Sequence, residues 1–281
     1  MGLISTARLL GNLVLIRLKH GHPRHYDRHW ENYWSSIEKT GQDGQVLWDN
    51  VAEKAAAEDL SRFQRYLDPS LPVLDLGCGN GRQSRFLARH FKQVVGVDVS
   101  PAAVELARRE TVEEKNVDYH VLDGTRPEQA EALHRQYGDM NIYMRAVLHV
   151  IRRADRPHFV QSLATLLGER GTLYQIELSH TALSYFRTVP ADTPFGIPKL
   201  VWDVIRHGPS SVGFGLSERK KCFPDRDWQV IESSSEVSIT TRPLADGQEG
   251  HVPANFLILR PRRAQGRNAE PVPAGRAGQA A

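Results

Sequence analysis

Short apolar runs alternate with helical stretches through the middle of this chain. "VLDLG" (73–77), "QVVGVDVS" (93–100), "VDYHVLDG" (117–124), "MNIYMRAV" (140–147) and "GTLYQIEL" (171–178) read as strands, rich in β-branched and aromatic residues. Between them stand "GRQSRFLARHF", "PAAVELARRETVEE", "RPEQAEALHRQY" and "RPHFVQSLATLL", whose apolar positions recur every three to four residues as in amphipathic helices. Ser100 precedes the second helix as an N-cap with Pro101 in its first turn, and Asp155 is placed to cap the fourth. Such alternation predicts an α/β domain with a parallel sheet covered by helices on both faces. Two later runs, "WQVIESSSEVSIT" and "ANFLILRPR", close the domain as strands.

The flanks read differently. "VAEKAAAEDLSRFQRYL" (51–67) is a helix stopped by Pro69 and Pro72. The aromatic segment "HYDRHWENYWSSI" (25–37) puts Trp30 and Trp34 on one helical face with Tyr26. The first apolar stretch, "GLISTARLLGNLVLIRL" (2–18), is broken by Arg8 and Arg17 and falls short of a membrane span. It lacks the basic start and cleavage site of a signal peptide. Such a helix must bury itself on the protein's own body, in a homodimer, or as a peripheral contact with a membrane surface. From His180 to Asp227 the alternation breaks into Pro, Gly and aromatics, too long for a simple crossover. The predicted organisation is a helical aromatic cap over 1–60, a ligand-binding domain over 61–262 with a cap insertion at 181–226, and a disordered tail over 263–281.

Composition narrows the class. The 281 residues are 40% hydrophobic and 25% charged, enough for a sizeable core. The net charge of +3, from 36 basic and 33 acidic residues, is spread out, which argues against nucleic acid as a partner. Cys78 and Cys222 have no metal-ligand spacing, so no metal is expected, and they read as reduced thiols in a cytoplasmic protein.

Candidate chemistry concentrates at the ends of the first three strands. Ligands of open α/β sheets bind beyond the carboxyl ends of the strands, where strand order reverses. The first loop there is Asp75-Leu76-Gly77-Cys78-Gly79-Asn80-Gly81, bare enough for a ligand to lie against the backbone. Asp98, ending the second strand, is placed to accept from both hydroxyls of a ribose, and Asp123, ending the third, to take the amine of an adenine. Together they describe an adenosine. A dinucleotide would want G-x-G-x-x-G, but here the third glycine comes one residue early and Arg82 takes its place. Asp75 would repel a pyrophosphate and suits an ammonium-bearing ligand without phosphate.

With those residues in order, the stretch resembles motif I (D-x-G-x-G-x-G) of the class I S-adenosylmethionine-dependent methyltransferases. The likeness runs from about Val73 to Leu178, and the two late strands fit that family's terminal hairpin. It implies a Rossmann-like, mostly parallel sheet of seven strands ending in an antiparallel hairpin. It also implies S-adenosyl-L-methionine held around Asp75, Gly77, Cys78, Gly79, Gly81, Asp98, Val99, Asp123, Gly124, Met144 and Arg145. In the family the loop glycines cradle the methionine half, and the acid matching Asp75 helps hold its amino group. "WENYW" is similar to the N-terminal W-x-x-x-W element of thiopurine-type methyltransferases, which would make Trp30 a cap over the cofactor. Glu169 and Arg170 depart from the family's "LKPGG" turn, a surface feature.

Methyl transfer from a sulfonium carbon mainly requires alignment and exclusion of water. Where the acceptor must lose a proton, His149, Glu177 and His180 lie at the right edge of the sheet to act as a base. Trp48, Tyr185, Phe186, Phe195, Trp202 and Phe214 would build an apolar pocket for a small organic acceptor of O, N or C type, in specialised metabolism. Two further readings stay open at this level. One is an enzyme on the same fold that holds the cofactor while catalysing a pericyclic or other rearrangement. The other is a scaffold with a vestigial site, against which the intact Asp75, Asp98 and Asp123 argue.

Overall fold

The structure is a computed structural model and describes residues 26–50, 54–207 and 213–262. The apolar stretch 2–18 and the tail 263–281 lie outside these residues, as does the start of the helix expected from Val51. Seven strands form one sheet: β1 (Val73–Leu76), β2 (Val94–Asp98), β3 (Val117–Val121), β4 (Asn141–Arg145), β5 (Leu173–Leu178), β6 (Trp228–Pro243) and β7 (Glu249–Pro261). Their order is β3-β2-β1-β4-β5-β7-β6. The first five run parallel, whereas β7 pairs antiparallel with both β5 and β6. This is the mostly parallel, seven-stranded sheet with a terminal hairpin that the sequence implies.

The reason lies in which positions are apolar. β1 and β2 are buried along their whole length, as strands covered on both faces must be. On one face Ile142 and Met144 pack with Phe159, Leu163 and Leu166 of α6 (Arg156–Leu167). On the other, Tyr143 and Tyr174 pack with Phe63 of α2 (Lys54–Phe63) and with Phe86 and Leu87 of α3 (Arg82–Ala88). A short 3-10 turn, Gln64–Tyr66, follows α2. The remaining helices are α1 (Tyr26–Ser35) before the sheet, α4 (Pro101–Glu110) and α5 (Pro127–Tyr137) between strands, and α7 (Ala182–Phe186), α8 (Lys199–Ile205) and α9 (Leu216–Cys222) in the insertion. No helix of the described residues is long and apolar enough to cross a membrane.

Local signals fare unequally. Ser100 caps α4 as expected, its hydroxyl accepting from the Ala103 amide at 3.1 Å. Asp155 makes no cap bond at α6. Its two oxygens are taken by the Arg152 guanidinium at 2.6 and 2.7 Å, and a bidentate cation outcompetes a neutral amide for the same carboxylate. The β6–β7 hairpin shifts register at three places, between Val230 and Glu232, Ser234 and Val237, and Thr240 and Pro243. Such bulges bend and twist a ribbon, and its distal half packs against α7.

Candidate active site

β1 has β2 on one side and β4 on the other, so strand order reverses there. A cavity of about 510 Å³ opens at that point, between the strand ends, α1, and the segment carrying α7 and α8. Its floor is the loop after β1. The amides of Gly77 and Cys78 both donate to the Val97 carbonyl, at 2.8 and 2.9 Å, and the Gly79 amide donates to Asp98 at 3.0 Å. Gly77 and Gly79 have φ angles of 83° and 54°. A side chain at Gly79 would begin 2.6 Å from the Trp34 ring, and one at Gly77 would run into Val147. Only glycine meets both the left-handed backbone and the close approach. Gly81 does a different job. It precedes α3 at φ 73° and faces Tyr119 and Ala107, so it packs helix against strand and stands back from the cavity.

Asp75 and Asp98 both line the cavity and both are buried. Burial lifts Asp75 to about 7, against the hydrogen bond donated by the Ser84 hydroxyl at 2.5 Å. Burial also lifts Asp98 to about 6, against bonds from the amides of Ser100 and Gly79 at 3.0 Å each. Cys78, Val99 and Gly124 line the same end, with Gly124 hard against the Phe159 ring. Asp123 does not line it. Its carboxylate accepts from the Tyr26 hydroxyl, from the Thr125 amide and hydroxyl at 2.9 and 2.7 Å, and pairs with Arg126 at 3.3 Å. The role expected for Asp123 therefore falls on a group that Tyr26 already covers, while Leu122 and Gly124 present themselves on either side.

α1 lies over this end. Tyr26, Trp30 and Trp34, four residues apart, share the face that lines the cavity. Glu31 ties the helix down by accepting from the Ser100 hydroxyl at 2.6 Å and the Ala102 amide at 3.1 Å. Trp34 is the residue over the glycine loop. Trp30 lies edge-on to Tyr33 and Trp48, with ring centroids 5.6 and 6.0 Å away.

The strand β4 splits its two candidates. Met144 is fully buried in the core on the α6 face, whereas Arg145 turns to the opposite face and lines the cavity. After β4, Ala146 adopts φ 58°, the sole positive value at a non-glycine among the described residues. The chain then bends so that three successive amides, of Val147, Leu148 and His149, point at the Glu177 carboxylate at 3.2, 2.8 and 3.1 Å. The same carboxylate holds His149 Nδ1 at 2.7 Å. Glu177 is itself fully buried and away from the cavity, and the His149 ring lines it. His149 Nε2 has no protein partner among the described residues. His180 also lines the cavity, but its side chain is half exposed and engages Glu218 at 3.0 Å.

Beyond these groups the wall is apolar. Leu47, Trp48, Ala182, Phe186, Val201 and Val252 contribute from the pre-sheet loop, the insertion and the terminal hairpin. Two buried carboxyls beside a side-chain-free loop, with Arg145 the sole Arg or Lys of the lining, do not suit a pyrophosphate. They fit a nucleoside that carries hydroxyls and an ammonium group. S-adenosylmethionine has both.

Comparison with known proteins agrees with that chemistry. Residues 73–171 match the family described as a methyltransferase domain. The structure superposes on a SAM-dependent methyltransferase from Anabaena variabilis ATCC 29413 with a TM-score of 0.75 and 34% identity, over 85% of this chain and 96% of that one. The chain belongs to the S-adenosylmethionine-dependent methyltransferases. This methyltransferase is also similar to enzymes named for ubiquinone biosynthesis O-methylation. It is 26% identical to that of Bartonella tribocorum over 200 residues, 68% of this chain and 72% of the relative. It is 32% identical to that of Xanthomonas campestris pv. campestris over 120 residues, 42% of this chain and 47% of the relative. The methyltransferase thus spans less than half the length of the Xanthomonas relative in that alignment.

Proposed function

We propose that this methyltransferase transfers the methyl group to the oxygen of a small, apolar or aromatic hydroxy compound. The observation that carries the reading is the His149–Glu177 pair, its free ring nitrogen in a cavity that is otherwise apolar on the acceptor side. The similarity to enzymes named as O-methyltransferases supports oxygen as the acceptor atom. When bound, S-adenosylmethionine supplies a sulfonium carbon already activated toward attack. Asp98 accepts the ribose hydroxyls, Asp75 faces the ammonium, and α1 with Trp30 and Trp34 shuts water out of that end. His149 Nε2 takes the proton from the acceptor hydroxyl, and Glu177, through Nδ1, holds the ring and stabilises the imidazolium that forms. The apolar wall around Trp48, Phe186 and Val201 positions the acceptor's body.

The test is label transfer. Incubation with methyl-labelled S-adenosylmethionine and a panel of phenols, anilines and acidic carbon compounds should place label in methyl ethers. Label appearing on nitrogen or carbon, or none with any apolar hydroxy compound, overturns the oxygen assignment.

The role given to Asp75 has a proton signature. Its pKa of about 7 exceeds the ordinary 3.8, so the ligand-free protein binds more protons than the unfolded chain between those values, and its stability falls as pH rises across that window. A ligand ammonium favours the carboxylate, so binding releases a proton near pH 6.5. Calorimetry of S-adenosylhomocysteine binding in two buffers of different ionisation enthalpy should show release for the wild type and much less for Asp75→Asn. Proton uptake, or equal release by both, contradicts the assignment.

A further inference from the structure

Asp49 is a fully buried carboxylate in the loop between α1 and α2, outside the cavity lining. Burial lifts its pKa, against the Gly41 amide, the Arg82 charge and the Asn80 side-chain amide. One of its oxygens collects both hydrogen bonds, from the Gly41 amide at 2.9 Å and from Asn80 Nδ2 at 2.8 Å. The first closes the loop on itself. The second reaches the glycine loop, where Asn80 stands buried between Gly79 and Gly81. A carboxylate held away from water is costly unless it is bonded, so the Asp49–Asn80 contact resists opening. Arg82, in the position of a dinucleotide motif's third glycine, serves here as a nearby counter-charge.

A second tether runs alongside. Glu110, ending α4, accepts from the Thr40 hydroxyl at 2.6 Å and from Arg85 on α3 at 3.1 Å. Arg85 also donates to the Asn80 carbonyl at 2.8 Å. Gln45 Oε1 accepts the amides of Glu38 and Lys39 at 2.7 and 3.0 Å, which closes the base of the loop. Residues 38–50 therefore form a strap bolted to the glycine loop along its polar side. Its apolar tip faces the cavity. Leu47 and Trp48 line the acceptor side, and the Trp48 ring lies 6.0 and 6.1 Å from those of Trp30 and Trp34.

We infer that Asp49 is a positioning residue that, through Asn80, makes the acceptor wall at Leu47 and Trp48 move with the glycine loop, so that cofactor and acceptor bind with positive coupling. The inference rests on the reading that the glycine loop seats S-adenosylmethionine. A ligand against that loop fixes Asn80, Asn80 fixes Asp49, and Asp49 fixes the two residues before it. The contacts are contiguous from one side of the cavity to the other. Coupling of this kind is reciprocal, so an acceptor on the wall tightens the cofactor by the same factor.

Hydrogen exchange of the full chain, with and without S-adenosylhomocysteine, tests the coupling. In the wild type this ligand should slow exchange about tenfold or more in peptides covering both 38–50 and 77–87. Asn80→Ala removes the bond to Asp49. Asn80 does not line the cavity, so the slowing at 77–87 should persist while that at 38–50 falls to within about twofold. Asn80→Ser gives the same reading if the alanine variant does not fold. The exchanged pair Asp49→Asn/Asn80→Asp remakes the contact with donor and acceptor reversed and should recover most of the slowing at 38–50. A wild type in which 77–87 alone responds overturns the coupling, as does slowing at 38–50 that survives loss of the Asn80 amide. An equal loss at both peptides, or no recovery in the exchanged pair, makes the contact purely structural and also overturns it. Wild-type protein that responds at neither peptide overturns the cofactor seat itself.

Discussion

Asp98→Ala is expected to weaken S-adenosylhomocysteine binding about a hundredfold or more while leaving the domain folded. Two effects combine. The carboxylate is assigned to both ribose hydroxyls, and a hydrogen bond to a charged acceptor contributes about 1.5–3 kcal/mol. Each of its oxygens also accepts a backbone amide, Ser100 on one and Gly79 on the other, so it braces the glycine loop before any ligand arrives. The burial that lifts its pKa to about 6 adds a pH dependence. Affinity should decline below that pH, as the acceptor of hydroxyl protons becomes protonated. Calorimetry at pH 7.5 and 5.5, with a melting curve for the variant, checks both parts. Binding within threefold of wild type would show that the ribose is held elsewhere.

His149→Ala should lower kcat for a hydroxy acceptor by about 10²–10⁴, the usual contribution of a positioned general base. S-adenosylhomocysteine affinity should change little, because the imidazole lies on the acceptor side. The loss should shrink at high pH, where a phenolic acceptor ionises by itself, and a merely structural role for His149 would give no such recovery. Glu177→Gln tests the partner. The residue is fully buried and accepts from three amides and the imidazole, so an amide side chain leaves at least one donor facing another. Its melting temperature should fall along with kcat. An unchanged kcat in His149→Ala removes the base from the mechanism.

Much of the site was legible because strand ends carry it. The alternation along β1 and β2 puts Asp75 and Asp98 at the edge where ligands bind, and both line the cavity. His149 follows from the same reasoning at β4, whereas Arg145 comes only from the family resemblance, and both line the cavity. Two of the failures share one cause, partners far away in the chain. Asp123 ends its strand as expected, yet Tyr26, 97 residues upstream, takes its carboxylate. Asp49 sits in an unremarkable loop, and its partner Asn80 lies 31 residues downstream. Met144 and Arg145 are neighbours in sequence, but the pleat sends one into the core and the other to the cavity. The spacing of Tyr26, Trp30 and Trp34 was a usable signal, and it marks the helix face that covers the glycine loop.

The strand order has a consequence for how the polypeptide matures. β7 is made last among the strands yet inserts between β5 and β6, both made earlier. Until residues 249–261 have cleared the ribosome, β5 and β6 each lack their β7 partner, and β5 is an interior strand buried over all but its last residue. Nascent chains should therefore stay chaperone-dependent until that strand has emerged. Premature stop codons shortly before Glu249 should yield insoluble product even though the whole glycine loop has been synthesised.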